Sequence, residues 1–146
     1  MTSALDIRWI TERDDLRRAH AIRERVFCRE QGVSREDELD GLDDVSEHLL
    51  AITREEPRAV ATLRLHVTNS VARIGRLAVD RDWRRRGLAT ELLQRALARA
   101  RERGCETAQL AAQIDARRLY ENVGFSVQSE PFEEAGITHV WMTLAL

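Results

Sequence analysis

Residues 79–93, VDRDWRRRGLATELL, join the end of a predicted strand to the start of a predicted helix. The strand covers residues 71–79, VARIGRLAV, and the helix covers residues 87–103. Apolar residues recur along the helix at steps of three and four, which is typical of one buried face: Leu88, Leu92, Leu93, Ala96, Leu97 and Ala100. Gly104 stands where a helix C-cap is expected. This strand and helix indicate an architecture in which helices pack on a sheet.

The junction between this strand and helix has the composition of an anion site. A helix start carries unpaired backbone N–H groups and the positive end of the helix dipole, which together favour a phosphate. Gly87 has no Cβ and Ala89 has a small side chain, so a ligand can approach the backbone closely. Arg84, Arg85 and Arg86 add charge that can pair with phosphate oxygens. The alternative is a solvated arginine cluster beside a helix start.

The remaining sequence alternates between strand and helix patterns. Further strands are expected at residues 5–9, 48–53, 61–67, 108–112, 125–128 and 138–144, and further helices at residues 14–32 and 115–123. Asp14 or Asp15 is the expected N-cap of the first helix, and Gly32 marks its end. We therefore predict an α/β (α+β) fold with a mixed central sheet of about seven strands flanked by helices on both faces. Because no linker composition interrupts the pattern, residues 1–146 are expected to form a single domain.

The composition argues against several functional classes. The 23 cations, all of them arginine, face 25 acidic residues, and the net charge of -2 disfavours binding of nucleic acid through bulk positive charge. The absence of lysine excludes a Schiff-base or lysine-nucleophile mechanism. No apolar run approaches the roughly 18 residues that a membrane span needs, and residues 1–15 contain no recognisable targeting sequence, so a cytoplasmic location without membrane contact is expected. The two cysteines lack metal-ligand spacing, and no metal is expected.

Two motifs carry a resemblance to a known family. The pattern Arg84-x-x-Gly87-x-Ala89, placed between a strand and a helix, resembles the acyl-coenzyme A binding motif of the GNAT superfamily of N-acetyltransferases. About thirty residues later, QIDARRLYENVGF (residues 113–125) is similar to a second GNAT pattern, A-x-x-L-Y-x-x-x-G-F. The stretches at residues 23–50 and 132–142 resemble a bacterial subgroup of small, largely uncharacterised GNAT proteins. The resemblance therefore covers nearly the whole chain.

This resemblance implies a binding site for acetyl-CoA or CoA. The pyrophosphate is expected on backbone N–H groups between Arg85 and Thr90, and the pantetheine arm along the fourth strand beside Leu77 and Val79. Where many members carry Asn, this chain has Gln113, a primary amide that is one methylene longer. The expected cofactor-binding residues are Leu77, Ala78, Val79, Arg84, Arg85, Arg86, Gly87, Leu88, Ala89, Thr90 and Gln113.

Acetyl transfer to an amine needs a neutral amine, a stabilised oxyanion and a proton for the departing thiolate. The resemblance implies Tyr120 as the catalytic acid, and a phenol with a reference pKa of about 10 stays protonated at neutral pH. The alternative for Tyr120 is a structural, half-buried side chain. The resemblance also implies a backbone N–H beside a bulge of the fourth strand, at Leu77 or Ala78, for the oxyanion. Several candidates for the general base stay open: Glu30, His48, His66, His139 or a water.

An acidic stretch precedes the second strand. Seven of the twelve residues from Glu36 to Glu47 are acidic. One interpretation is a solvated, mobile loop, and the other is a surface that attracts a cationic amine substrate. Calcium binding is disfavoured because the D-x-D-x-D-G spacing is missing.

Two functional hypotheses follow. The first is an acetyl-CoA-dependent N-acetyltransferase in which a primary amine, expected to be a small molecule, attacks the thioester directly. The second is a non-catalytic module that binds CoA or another phosphate ligand. A homodimer is compatible with the resemblance, since dimers are common in the family.

Overall fold

Eight strands form one sheet in the computed structural model, which describes residues 4–146. Residues 1–3, the first part of the stretch searched for a targeting sequence, lie outside the described residues. The strands are β1 Leu5–Trp9, β2 Glu47–Thr53, β3 Ala59–Thr68, β4 Val71–Val79, β5 Thr107–Gln113, β6 Ser126–Val127, β7 Phe132–Glu134 and β8 Ile137–Ala145. Their order is β1-β2-β3-β4-β5-β8-β6, with β7 also paired to β8. The β4–β5 pair is parallel and the other pairs are antiparallel, so the expected mixed sheet is confirmed.

Helices cover both faces of the sheet, as expected. Helix α1, Arg13–Arg23, continues as a π-helical segment, Glu24–Glu30, and packs Ala19 and Ile22 against one face. The short helix α2 is Arg35–Glu38 and α4 is Arg117–Val123. Helix α3, Leu88–Glu102, buries its apolar side against the other face. Within residues 4–146, we find no helix with the length and hydropathy needed to cross a membrane.

Successive side chains of β2 point to opposite faces of the sheet, so this strand contributes to the packing on both faces. Leu49 and Ala51 are buried in the core on the α3 side, whereas Leu50 packs in the cluster formed by α1. Strand β2 lies inside the sheet and is buried on both faces, so residues 49–52 read in the sequence as an unbroken apolar run, LLAI.

Two local expectations need correction. The first helix begins at Arg13 after Glu12 and has no side-chain cap, so neither Asp14 nor Asp15 is its N-cap. Asp15 is instead buried and accepts hydrogen bonds from Arg8 and Arg18. The expected seven strands become eight because residues 132–134 add the short edge strand β7 beside β8.

Candidate active site

The parallel strands β4 and β5 separate within the sheet. Their pairing covers only residues 71–73 of β4 and 107–109 of β5. Beyond Arg73 and Gln109, no ladder joins the two strands in the part of the chain that the structure describes. A cavity of about 790 Å³ occupies the resulting slot and continues to the start of α3. This volume lies in the range of small-molecule and cofactor sites.

Strand β4 contains a bulge beside this slot. Thr62 pairs with Ala78 and Arg64 with Gly75, so two residues of β4 stand opposite a single residue of β3. The bulge residue Arg76 has φ of 51°, in the left-handed region that arginine rarely adopts. A bulge breaks the regular ladder and changes the direction of the strand. The bulge expected in the fourth strand is therefore present at Arg76 and Leu77, next to Ala78.

The Arg76 side chain is held by α2. Its Nε atom donates to Glu38 Oε2 at 2.9 Å, and its Nη2 atom donates to the Glu38 carbonyl oxygen at 2.9 Å. Glu38 is only 5% exposed and also accepts from Arg23 Nη2 at 2.6 Å. Because a left-handed arginine is strained, these contacts supply the surrounding support that such a conformation requires.

In the acidic stretch Glu36, Asp37 and Asp44 are exposed, but the other four carboxylates, Glu38, Asp40, Asp43 and Glu47, pair with arginines. Arg64 donates to Asp40 at 2.8 Å and to Asp43 at 3.2 Å, and Arg23 donates to Asp43 at 2.9 Å. Burial by itself would raise the pKa of Asp40, but the hydrogen bonds from Arg64 and from the Leu42 amide lower it to about 2. The interpretation as a solvated, mobile loop is therefore wrong for these carboxylates. Their charge is already neutralised, so they leave little attraction for a cationic amine.

The start of α3 has unpaired backbone donors. Gly87 precedes the helix with φ of 78°, and no side chain caps the helix start. The first internal hydrogen bond runs from the Glu91 amide to the Gly87 carbonyl. Among the described residues, the amides of Leu88, Ala89 and Thr90 have no hydrogen-bond partner. A Cβ added to Gly87 would meet no protein atom within 4 Å, so the space in front of these donors is open.

The three arginines of the junction differ in their surroundings. Arg84 donates to both carboxylate oxygens of Glu30, at 3.0 and 2.8 Å, and to the Val79 carbonyl at 2.9 Å. Arg86 stacks over the Trp83 ring, 4.7 Å from its centroid. Arg85 lines the cavity and has no ion-pair partner within residues 4–146. Of the two junction arginines without an ion-pair partner among the described residues, Arg85 is the one that lines the cavity.

Tyr120 of α4 also lines the cavity. Its ring meets Phe125 edge to face, with centroids 6.2 Å apart. Its hydroxyl makes no hydrogen bond to any described residue. Burial raises the pKa of Tyr120 to about 12. The phenol therefore holds its proton throughout the physiological range.

The base candidates fall into two groups. His48 and Glu30 do not line the cavity. His48 Nε2 donates to the Asp43 carbonyl at 2.9 Å, and burial lowers the pKa of His48. The Arg84 hydrogen bond lowers the pKa of Glu30. His66 and His139 do line the cavity.

His139 presents a definite tautomer. Its Nδ1 atom lies 2.7 Å from the Ile137 carbonyl oxygen, which can only accept, so Nδ1 carries the proton. Nε2 of the neutral ring is then free to accept a proton. His66 is less constrained, because its Nδ1 atom lies 3.3 Å from the Ser46 hydroxyl, which can donate or accept.

Most of the residues expected at the site line this one cavity: Leu77, Val79, Arg84, Arg85, Gly87, Leu88, Ala89, Thr90, Gln113 and Tyr120. Two side chains do not. Ala78 is buried in the cluster under α1, and Arg86 lies against Trp83. Gln113 Nε2 donates to Gln31 Oε1 at 2.8 Å, so this amide is engaged with the end of the π-helical segment.

Sequence reasoning did not single out several lining residues, among them Phe27, Gln31, Arg73 and Trp141. Phe27 and Gln31 follow α1, where nothing in the sequence announces a π-helical turn. A signal for the others exists in the strands, because non-core residues alternate with buried ones along β4, β5 and β8. That alternation shows a second face but not what the face is used for.

Comparisons with known proteins agree with this geometry. A family model described as an acetyltransferase (GNAT) domain matches residues 25–146. The uncharacterized protein YyaT of Bacillus subtilis is 32% identical over 142 residues, which is 95% of each chain. A crystal structure from Lactobacillus plantarum, assigned as an N-acetyltransferase, has 30% identity and a TM-score of 0.89 and covers 98% of this chain and 99% of its own. A Bacillus subtilis acetyltransferase crystallised with CoA shares the fold at 21% identity, with a TM-score of 0.74 over 97% and 99% of the two chains.

Proposed function

The chain belongs to the GNAT acetyltransferase family, and on that basis we propose that it is an acetyl-CoA-dependent N-acetyltransferase. Residues 1–146 act as one acyltransferase domain that moves the acetyl group to a primary amine of a small molecule. The observation that carries this proposal is the single cavity shared by the open start of α3, the unpaired segment of β4 and the Tyr120 hydroxyl. An anion site can bind the pyrophosphate of CoA, a strand edge can bind its pantetheine arm, and a proton donor can protonate the departing thiolate.

The start of α3 is the proposed pyrophosphate site. The free amides of Leu88, Ala89 and Thr90 can donate to phosphate oxygens, and Arg85 supplies an unpaired positive charge. Gly87 leaves the space in front of them clear. Arg84 has a different proposed role: it fixes the loop to Glu30 and to the end of β4.

The unpaired part of β4 is the proposed site of the pantetheine arm. Residues 77–79 have no neighbour on the β5 side, so an extended ligand can take the place of a missing strand. Gln113 stands on the opposite wall, at the end of β5. The bulge at Arg76 sets the direction of the backbone just before this segment.

The chemistry proposed for the site is direct attack. A cavity-lining base, His139, His66 or a water held there, takes the proton from the amine as its nitrogen bonds to the acetyl carbonyl carbon. The backbone N–H of Leu77 or Ala78 stabilises the charge that develops on the carbonyl oxygen. Tyr120 donates its proton to the thiolate sulfur as the carbon–sulfur bond breaks. The products are the N-acetylated amine and free CoA, and the base and Tyr120 then exchange the proton with solvent.

Calorimetric titration with acetyl-CoA and CoA tests the cofactor site. The wild type is expected to bind both, and Gly87→Glu is expected to bind neither, because its carboxylate would occupy the anion site. Gly104→Glu is the matched control: Gly104 also has a positive φ, 77°, and an open Cβ position, but it lies at the other end of α3. Equal affinity in the two variants would contradict the proposed pyrophosphate site.

Turnover separates an enzyme from a binding module. Release of free thiol from acetyl-CoA is measured across a panel of amines with the wild type and Tyr120→Phe. The variant is expected to keep its affinity for CoA and to lose acyl transfer, because only the proton donor has been removed. A protein that binds CoA but acetylates no amine would favour the non-catalytic module.

A further inference from the structure

A row of polar residues crosses the sheet on the face opposite α3. By register His66 pairs with Arg73, Arg73 with Gln109, and Gln109 with Thr143. Their neighbours along each strand, such as Ala72, Ala108 and Met142, are buried in the core on the α3 side. The row therefore faces away from α3, and its first three members line the cavity.

Arg73 is one of two arginines of the cavity that have no carboxylate beside them among the described residues. Arg64, Arg76 and Arg84 each contact a carboxylate at 2.8 to 2.9 Å. Arg73 and Arg85 have no carboxylate partner in the part of the chain that the structure describes. Arg85 lies at the proposed pyrophosphate site, beside the start of α3. Arg73 lies at the last paired position of β4 and β5, at the closed end of the slot, before residues 77–79 that are the proposed site of the pantetheine arm.

The remaining charges of the cavity complement Arg73. The carboxylates of Glu38, Asp40 and Asp43 are already paired with arginines. Two exposed carboxylates of the cavity wall, Asp37 and Glu134, have no ion-pair partner within residues 4–146. The cavity is thus lined by an exposed cation, Arg73, and by two carboxylates without ion-pair partners among the described residues, a pattern that suits a ligand bearing both charges.

We propose that the acceptor is a small amine that also carries an anionic group, a carboxylate or a phosphate, and that Arg73 binds that group. This inference rests on the proposed acetyltransferase function. A guanidinium binds carboxylate and phosphate through paired N–H donors, and a position on a sheet strand fixes where the anion can lie. The amine end of the same molecule is attracted by Asp37 and Glu134. A polyamine would instead meet Arg73 as a like charge.

The test compares matched acceptors at saturating acetyl-CoA. The pairs are 4-aminobutyrate and 6-aminohexanoate with their primary amides, and 2-aminoethyl phosphate with ethanolamine; spermidine represents polyamines. Thiol release gives kcat/KM for each. The anionic member of at least one pair is expected to exceed its neutral partner by about tenfold or more, the ratio that a charge-assisted hydrogen bond to an arginine provides. The carboxylate and phosphate pairs show which anion the site takes.

Arg73→Gln supplies the specific readout. This variant is expected to lower the ratio between anionic and neutral partners to about one. Arg101→Gln is the control, because it removes the same charge at a position outside the cavity. Arg101 is exposed on α3 and has no ion pair among the described residues. It is expected to keep the wild-type ratio. Thermal unfolding and a CoA titration confirm that both variants are folded and bind the donor.

Two kinds of result would overturn the inference. The role of Arg73 is refuted if neutral amines or spermidine are acetylated as fast as the anionic members of the panel. It is also refuted if the preference for anionic members survives Arg73→Gln. Either result leaves the acetyltransferase proposal standing. If no panel member is acetylated although CoA binds, both proposals fail.

Discussion

Glu38→Gln tests whether buried charge pairs hold the bulge of β4. The Glu38 carboxylate lies between two guanidinium groups: Arg23 Nη2 is 2.6 Å away and Arg76 Nε is 2.9 Å away. Arg23 is 1% exposed, so water cannot replace the lost negative charge. The substitution keeps the size and one oxygen acceptor but removes the charge.

The expected cost can be bounded from these contacts. Removing one partner of a buried ion pair costs about 3–5 kcal/mol. Two features reduce this value: Asp43 remains 2.9 Å from Arg23 Nη1, and the glutamine oxygen still accepts one hydrogen bond. We expect the free energy of unfolding to fall by about 2–4 kcal/mol. A domain of ordinary stability, about 5–15 kcal/mol, remains folded after such a loss.

Urea unfolding followed by circular dichroism measures this change. Glu47→Gln is the control, because Glu47 also contacts two arginines, Arg99 and Arg103, each at 2.7 Å. Its side chain is 32% exposed, so the control is expected to cost about 1 kcal/mol or less. CoA affinity is expected to fall in Glu38→Gln, since Arg76 loses the contact that supports its left-handed backbone. Equal costs in the two variants would refute the reasoning.

Three further predictions follow from the same geometry. Glu30→Gln is expected to reduce the free energy of unfolding by less than about 1 kcal/mol, to weaken donor binding through the lost contact with Arg84, and to preserve the pH profile of acetyl transfer, because Glu30 itself does not line the cavity; a changed pH profile in a folded variant would contradict this. Asp40 has its pKa lowered to about 2 from 3.8, so its stabilising contribution is present above pH 4 and is lost as the pH falls toward 2. Urea unfolding of Asp40→Asn over that range is expected to show a weaker loss than wild type. The Tyr120→Phe variant is expected to lose acetyl transfer at every pH from 6 to 9, whereas a loss confined to alkaline pH would argue against a proton donor with a pKa of about 12.

Parts of the fold that depend on local pattern were predictable. The β4–α3 unit and an end of the first helical segment near Gly32 follow from periodicity and glycine positions; the first is confirmed, and the π-helical continuation of α1 ends at Glu30, two residues before Gly32. Strand β7 was missed because three residues that follow Pro131 carry no alternation that distinguishes a strand from a loop. Residues 132–134 form a strand because they pair with β8 across a turn, and that pairing is not visible in the sequence of the three residues alone.

The candidate site was predictable only where it is local. Gly87 and the open helix start can be read from the sequence, because they depend on neighbouring residues. The slot cannot, because it depends on where the pairing of β4 with β5 stops, at Arg73 and Gln109. The pairing of the acidic stretch also could not be predicted from local sequence. Counting carboxylates predicts a charged surface, but the partners that neutralise them, such as Arg23 and Arg64, come from elements distant in the sequence.

The slot between β4 and β5 is held open by the segment from residue 30 to residue 38. Within residues 4–146 no ladder joins the two walls of the slot beyond Arg73 and Gln109, so other contacts help to set the positions of these walls. Three polar contacts do so from this one segment: Glu30 with Arg84, Gln31 with Gln113, and Glu38 with Arg76. The first reaches the end of β4 through Arg84, which also donates to the Val79 carbonyl, the third contacts Arg76 within the unpaired part of β4, and the second holds the end of β5. Because the same nine residues reach both walls, a substitution in this segment is expected to alter donor binding without touching the proposed pyrophosphate site.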